Sequence, residues 1–167
     1  FYRRHGGAVY GTLRIGRPFA LTVEGRDETQ SSVQERDPWT LFRGDRGWRV
    51  NPAVTDGRFR SLVASVRFDT RNDRGASSSG VYLTGEYEAG RGTDITGTTD
   101  PNLVCITAPC VPPELADGKL DYQRLFFDAR SYLRVSPAGR LNVRVTGGGR
   151  VGGEALPLQR RFALGYP

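Results

Sequence analysis

The chain has 167 residues, room for one domain but not comfortably for two. Its apolar content, glycine included, is that of an ordered chain, and no run long enough to form a transmembrane helix is both apolar and uncharged. The formal charge is +6; Lys119 is the only lysine, so arginine supplies nearly all of the positive charge.

In chain order the sequence alternates with the period of β-strands. Val9, Gly11, Leu13 and Ile15 share one face against Tyr10, Thr12 and Arg14. After Gly16-Arg17-Pro18 come Phe19, Leu21, Val23 and Gly25 against Ala20, Thr22, Glu24 and Arg26. A third strand sets Leu62, Ala64, Val66 and Phe68 against Ser61, Val63, Ser65, Arg67 and Asp69. A fourth sets Val81, Leu83, Gly85 and Tyr87 against Tyr82, Thr84, Glu86 and Glu88. The fifth opposes Leu125, Phe127, Ala129, Leu133 and Val135 to Arg124, Phe126, Asp128, Arg130 and Arg134. Leu125, Ala129 and Leu133 also fit a helix, but the turn Ser136-Pro137-Ala138-Gly139 leads straight into another alternating run, which favours a strand. In that sixth strand Leu141, Val143, Val145 and Val151 oppose Asn142, Arg144, Thr146 and Arg150.

The connections alternate as well. Strands one and two, three and four, and five and six are joined by short turns or a modest polar stretch, Asn72 to Ser79 in the middle case. The links Thr29 to Arg58 and Gly90 to Leu120 are long. Short turns at one end of a meander and long loops at the other is the layout of outer-membrane barrels. A soluble antiparallel sandwich or barrel has the same alternation with its apolar face inward. The mixed charges of the polar face and strands that run past eight residues favour the membrane form. Trp39 and Trp48 suit an aromatic belt at a membrane surface and suit loop packing equally.

Several chemistries are disfavoured. Cys105 and Cys110 bound Cys-Ile-Thr-Ala-Pro-Cys, and with His5 the only histidine no structural zinc set is expected. A local disulfide is the sharper reading of this pair, and two free thiols the plainer one. A hydrolytic triad would have to use His5 beside Gly6 and Gly7, and Gly147-Gly148-Gly149 lacks the Lys-Ser/Thr of a phosphate loop. Glu86 and Glu88 form an acid–base pair on paper, but arginines on neighbouring strands make ion pairing the better account. Arginines that share a face with carboxylates do not make the one-sign groove of a nucleic-acid binder. No cofactor, small-molecule substrate or catalytic residue is expected.

The segments Phe68-Asp69-Thr70-Arg71-Asn72-Asp73, Ser79-Gly80-Val81-Tyr82-Leu83, Tyr122 through Val135, Gly148-Gly149-Arg150-Val151-Gly152-Gly153 and Leu156-Pro157-Leu158-Gln159-Arg160-Arg161-Phe162-Ala163-Leu164-Gly165 occur in an order and spacing. Over residues 58–165 they resemble the bacterial surface-antigen barrels, the BamA/TamA-like superfamily that includes two-partner secretion transporters. Tyr166 stands where that family has a second glycine, and the Arg-Gly-Phe/Tyr loop tip of the family is not reached. The resemblance implies an all-β antiparallel meander of about six strands, an arc of a larger transmembrane barrel, with residues 1–167 truncated at both ends. It implies a bacterial outer-membrane location, lipid as one partner and client outer-membrane or secreted proteins as others. Arg161, Phe162 and Gly165 would begin an inward-folding loop. Arg67, Asp69, Glu86, Glu88, Arg124, Asp128, Arg130, Arg144 and Arg150 would line the lumen. Two other functions stay open: a barrel that anchors an upstream patatin-like phospholipase, and a soluble β-sheet binding domain.

Overall fold

The computed structural model describes residues 2–33, 54–96 and 118–161. Cys105, Cys110, Trp39, Trp48, Phe162 and Gly165 lie outside them.

The chain is all-β. Six strands, β1 (Tyr2–Ile15), β2 (Phe19–Ser32), β3 (Asp56–Asp69), β4 (Gly80–Thr96), β5 (Leu120–Arg134) and β6 (Arg140–Gly153), form one antiparallel sheet in the order of the sequence. β1 and β6 are its two outer strands, so the sheet is not closed. A 3-10 turn, Leu158–Arg160, is the only helical element among the described residues, in which no helix is long and apolar enough to cross a membrane.

The pairing puts like residues side by side. Ile15, Phe19, Phe68, Leu83, Ala129 and Val145 form one cross-strand row. Leu13, Leu21, Val66, Gly85, Phe127 and Gly147 form the next on the same face, followed by Gly11, Val23, Ala64, Tyr87, Leu125 and Gly149. No charged side chain interrupts these rows. A one-residue slip in any strand would carry its apolar set to the other face, so the alternation itself specifies the register.

The rows also expose a stagger. Measured from the Ile15 row, β1 and β2 end on it at the short-turn side, whereas β3 continues to Asp69, β4 to Gly80, β5 to Arg134 and β6 to Arg140. The last two overshoot it by about five residues, or roughly 17 Å, across four to five spacings of ~4.8 Å, which is a slant of roughly 35–41°. That is the strand tilt of closed barrels, about 35–45°.

The turns are built locally. Between β3 and β4, the Asn72 side-chain oxygen accepts the Ser78 and Ser79 N–H groups at 3.1 and 3.2 Å, and Asp73 accepts the Gly75 N–H at 2.8 Å. The N–H groups of Gly75 and Ala76 hold the Asp73 carboxyl below its usual range. Gly80 opens β4 at φ 112°, where a side chain would overlap the Thr70 backbone.

Three sequence readings need correction. The strands reach further toward the long loops than alternation indicated: β1 starts at Tyr2, β2 runs to Ser32, β3 starts at Asp56, β4 runs to Thr96 and β5 starts at Leu120. The long links are correspondingly shorter than Thr29–Arg58 and Gly90–Leu120. These strand ends carry charge on both faces, so the hydrophobic period disappears while backbone pairing continues. Val135 lies just past β5, where its N–H bonds the Gly139 carbonyl at 3.0 Å.

Candidate functional site

The two faces of the sheet differ in chemistry. Most large apolar side chains on the uncharged face stand exposed, from Val9 at 82% to Phe68 at 37%. The opposite face carries every one of Arg67, Asp69, Glu86, Glu88, Arg124, Asp128, Arg130, Arg144 and Arg150, placed there by strand alternation and register.

Near the short turns, Asp128 accepts from Arg130 at 2.7 Å on its own strand and from Arg144 at 2.8 Å across β6. Asp69 pairs with Arg71 at 2.9 Å and lies 3.7 Å from Arg74. The Tyr82 ring sits between these groups, its centroid 4.4 Å from the Arg71 guanidinium carbon and 5.4 Å from that of Arg130. Midway along the face, Arg124 pairs with Glu86 at 2.5 Å and Glu88 at 2.6 Å, and Arg26 pairs with Glu24 at 2.8 Å. Both carboxylates of the Glu86–Glu88 couple are therefore engaged by a guanidinium. Beside them a hollow of about 410 Å³ is lined by Thr12, Thr22, Ser65 and Thr84, with Arg14 and Arg67 at its sides. Arg150 turns away from this network and donates to the Gly153 and Glu154 carbonyls.

The chain then folds back over this face. Gly153, at φ 80°, makes the bend where a side chain would overlap the Asp121 carbonyl, and the Glu154 N–H bonds that carbonyl at 2.8 Å. Ala155 and Leu156 pack on Phe59, Ile95, Leu120 and Tyr122, the buried apolar cluster at the long-loop end. Leu158 donates its N–H to the Thr55 hydroxyl at 3.0 Å. Gln159 accepts the Thr55 N–H at 3.0 Å and donates to the Gln30 side chain at 2.6 Å. The segment thus reaches from the end of β6 to β2 and to the residue just before β3.

Arg160 completes it. Its Nε lies 3.3 Å from Glu88 Oε1 and its Nη2 3.9 Å from Glu28. Glu88, fully buried, also accepts the Tyr122 hydroxyl at 2.8 Å. Burial opposes the charge on Arg160, but the facing Glu88 and Tyr122 together outweigh it and hold the guanidinium above its ordinary pKa. The Tyr122 ring covers Gly90, where a methyl would overlap it. Arg161, by contrast, is exposed, and its side chain donates to the Leu156 carbonyl at 3.3 Å.

The sequence reading put nine charged residues on one face, which the strand register also does, and singled out Arg161, whereas its neighbour Arg160 is the one that reaches Glu88. It passed over Glu28, Gln30, Thr55, Tyr122 and Gln159. The available signal was phase: Phe59 and Tyr122 are apolar residues in step with Glu88, on a face that is mostly polar, and such residues need a cover. Among the described residues no group of His, Cys, Asp and Glu is placed to hold a metal ion. Comparison with protein families, with characterised proteins and with solved structures finds no match to this chain.

Proposed function

We propose that the chain is an arc of a bacterial outer-membrane β-barrel, with its uncharged face toward lipid and its charged face toward the lumen. One observation carries this reading: an exposed apolar face backed by a face of paired charges. Three uncharged rows across six strands, with Val9, Gly25, Leu62 and Ala89 adding a fourth across four, cover about 700 Å² in plan. A soluble monomer rarely exposes a contiguous apolar patch beyond ~300–600 Å². Among the described residues nothing covers this face, while a bilayer would. The stagger of the strands supports the same reading, since it is the slant that closure into a barrel requires.

On this reading the parent protein inserts or translocates proteins at the outer membrane. The support is the resemblance to surface-antigen barrels, together with residues 154–161 lying across the charged face, where that resemblance puts an inward-folding loop. The loop holding Cys105 and Cys110 would then face an oxidising exterior, which favours their disulfide.

Accessibility tests the orientation. With Cys105 and Cys110 replaced by Ser, single cysteines at Val143, Arg144, Val145 and Thr146 are labelled in outer-membrane preparations of the full-length protein. A water-soluble maleimide should reach positions 144 and 146, and a lipid-confined probe positions 143 and 145. Labelling without this alternation would refute the assignment.

A further inference from the structure

At the long-loop margin of the apolar face the rows change character in one step. Val9, Gly25, Leu62 and Ala89 form an uncharged row; Gly7, Asp27, Arg60, Arg91 and Asp121 form the next on the same face. Arg60 and Arg91 stand directly opposite each other on β3 and β4, an arrangement that opposes strand pairing unless an anion lies between them. Their side chains are 68% and 71% exposed. Asp27 is taken chiefly by Arg58, at 2.8 and 2.7 Å, leaving Arg60 one bond to it through Nε at 3.2 Å. Arg91 holds Asp121 at 2.8 and 3.2 Å. Three guanidiniums therefore share two carboxylates, with donors of Arg60 and Arg91 still open to the outside.

Just beside this margin, over β1 to β3, is a shallow, open hollow of about 570 Å³. Gly7 and Gly25 floor it, and a side chain added at either would meet open space. Val9 and Leu62 flank the apolar end, and Arg60 stands at the charged end.

We propose that this margin binds a phosphate-bearing lipid, with an acyl chain in the glycine-floored hollow and the phosphate between Arg60 and Arg91. The inference rests on the membrane reading. A guanidinium fork matches phosphate oxygens in pairs, and Asp27 and Asp121 fix the two forks before the ligand arrives. A phosphate without its chain leaves the hollow unfilled, so the ligand is the lipid and not the free ion.

The full-length protein in phosphatidylcholine nanodiscs doped with phosphatidic acid tests this, with retained lipid counted by native mass spectrometry. Phosphatidic acid should be enriched over phosphatidylcholine and should not be displaced by inorganic phosphate. Arg60→Gln should lower the enrichment roughly five-fold, and adding Arg91→Gln should lower it roughly five-fold again. Gly25→Leu, which fills the hollow and leaves the charges alone, should also lower it; Arg134→Gln, at the far end of the sheet, should not. Inserted protein without enrichment, or with enrichment unchanged in the double variant, would overturn the lipid site and leave the membrane reading standing. Displacement by inorganic phosphate would overturn the lipid as ligand. Protein that stays in the aqueous phase would overturn both.

Discussion

Val145→Arg puts a guanidinium near the middle of the apolar run of β6, which extends from Leu141 to Val151. Val145 is 53% exposed and faces Ala129 on β5, so no carboxylate is opposite it. At the bilayer midplane an outward arginine costs about 2–4 kcal/mol, and near an interface about 0–1 kcal/mol. Leu141→Arg, at the turn end of the same face, should therefore be several-fold milder than Val145→Arg. Thr146→Arg lies one residue away on the charged face, opposite Asp128, and should change stability by no more than ~0.5 kcal/mol. On a water-exposed sheet Val145→Arg would also stay within ~0.5 kcal/mol, because half-exposed surface positions tolerate charge. The two environments thus differ by at least ~1.5 kcal/mol, more than tenfold in the folding equilibrium. Reversible urea titration of the full-length protein in bilayers, followed by far-UV circular dichroism, measures it. Equal costs at 145 and 146 would refute the facing of the sheet.

Other expectations follow from the charged face. Arg160→Met leaves Glu88 buried with Arg124 and Tyr122 still bonded to it, and should cost about 1–3 kcal/mol; a double-mutant cycle with Glu88→Gln should show coupling above ~0.5 kcal/mol, and additivity would place Arg160 elsewhere. Gly90→Ala should cost about 1–3 kcal/mol by pushing Tyr122 off Glu88, whereas Gly25→Ala, with open space around it, should not. Cys105 and Cys110 should resist alkylation until reduced, and mass spectrometry finding both thiols labelled beforehand would exclude the disulfide.

Much of the sheet was legible because its two faces carry different side chains, one uncharged and one charged. Leu13 against Arg14, or Val145 against Arg144, reports the face directly, and the small turns at Gly16 and Ser136 report where the chain reverses. The strand ends beyond Asp27, Arg58 and Arg91 were not legible, since pairing there depends on backbone hydrogen bonds that leave no pattern in the side chains. The fold-back of residues 154–161 leaves no periodic signal in the sequence. Its anchors, Gln159 on Thr55 and Gln30, join residues over a hundred positions apart, and polar contacts of that range carry no local period. Arg160 and Arg161 are chemically the same in the sequence; which one reaches Glu88 is decided by the 3-10 turn that Pro157 introduces.

The central claim is that the uncharged face belongs to lipid, and expressing residues 1–167 alone without detergent tests it most directly. β1 and β6 would each present an unpaired edge, and the apolar rows would meet water with nothing in the described residues to cover them. The chain should aggregate in buffer and disperse only when detergent is supplied. A monodisperse monomer in buffer with a cooperative thermal melt would contradict the claim and return the chain to the soluble β-sheet proteins.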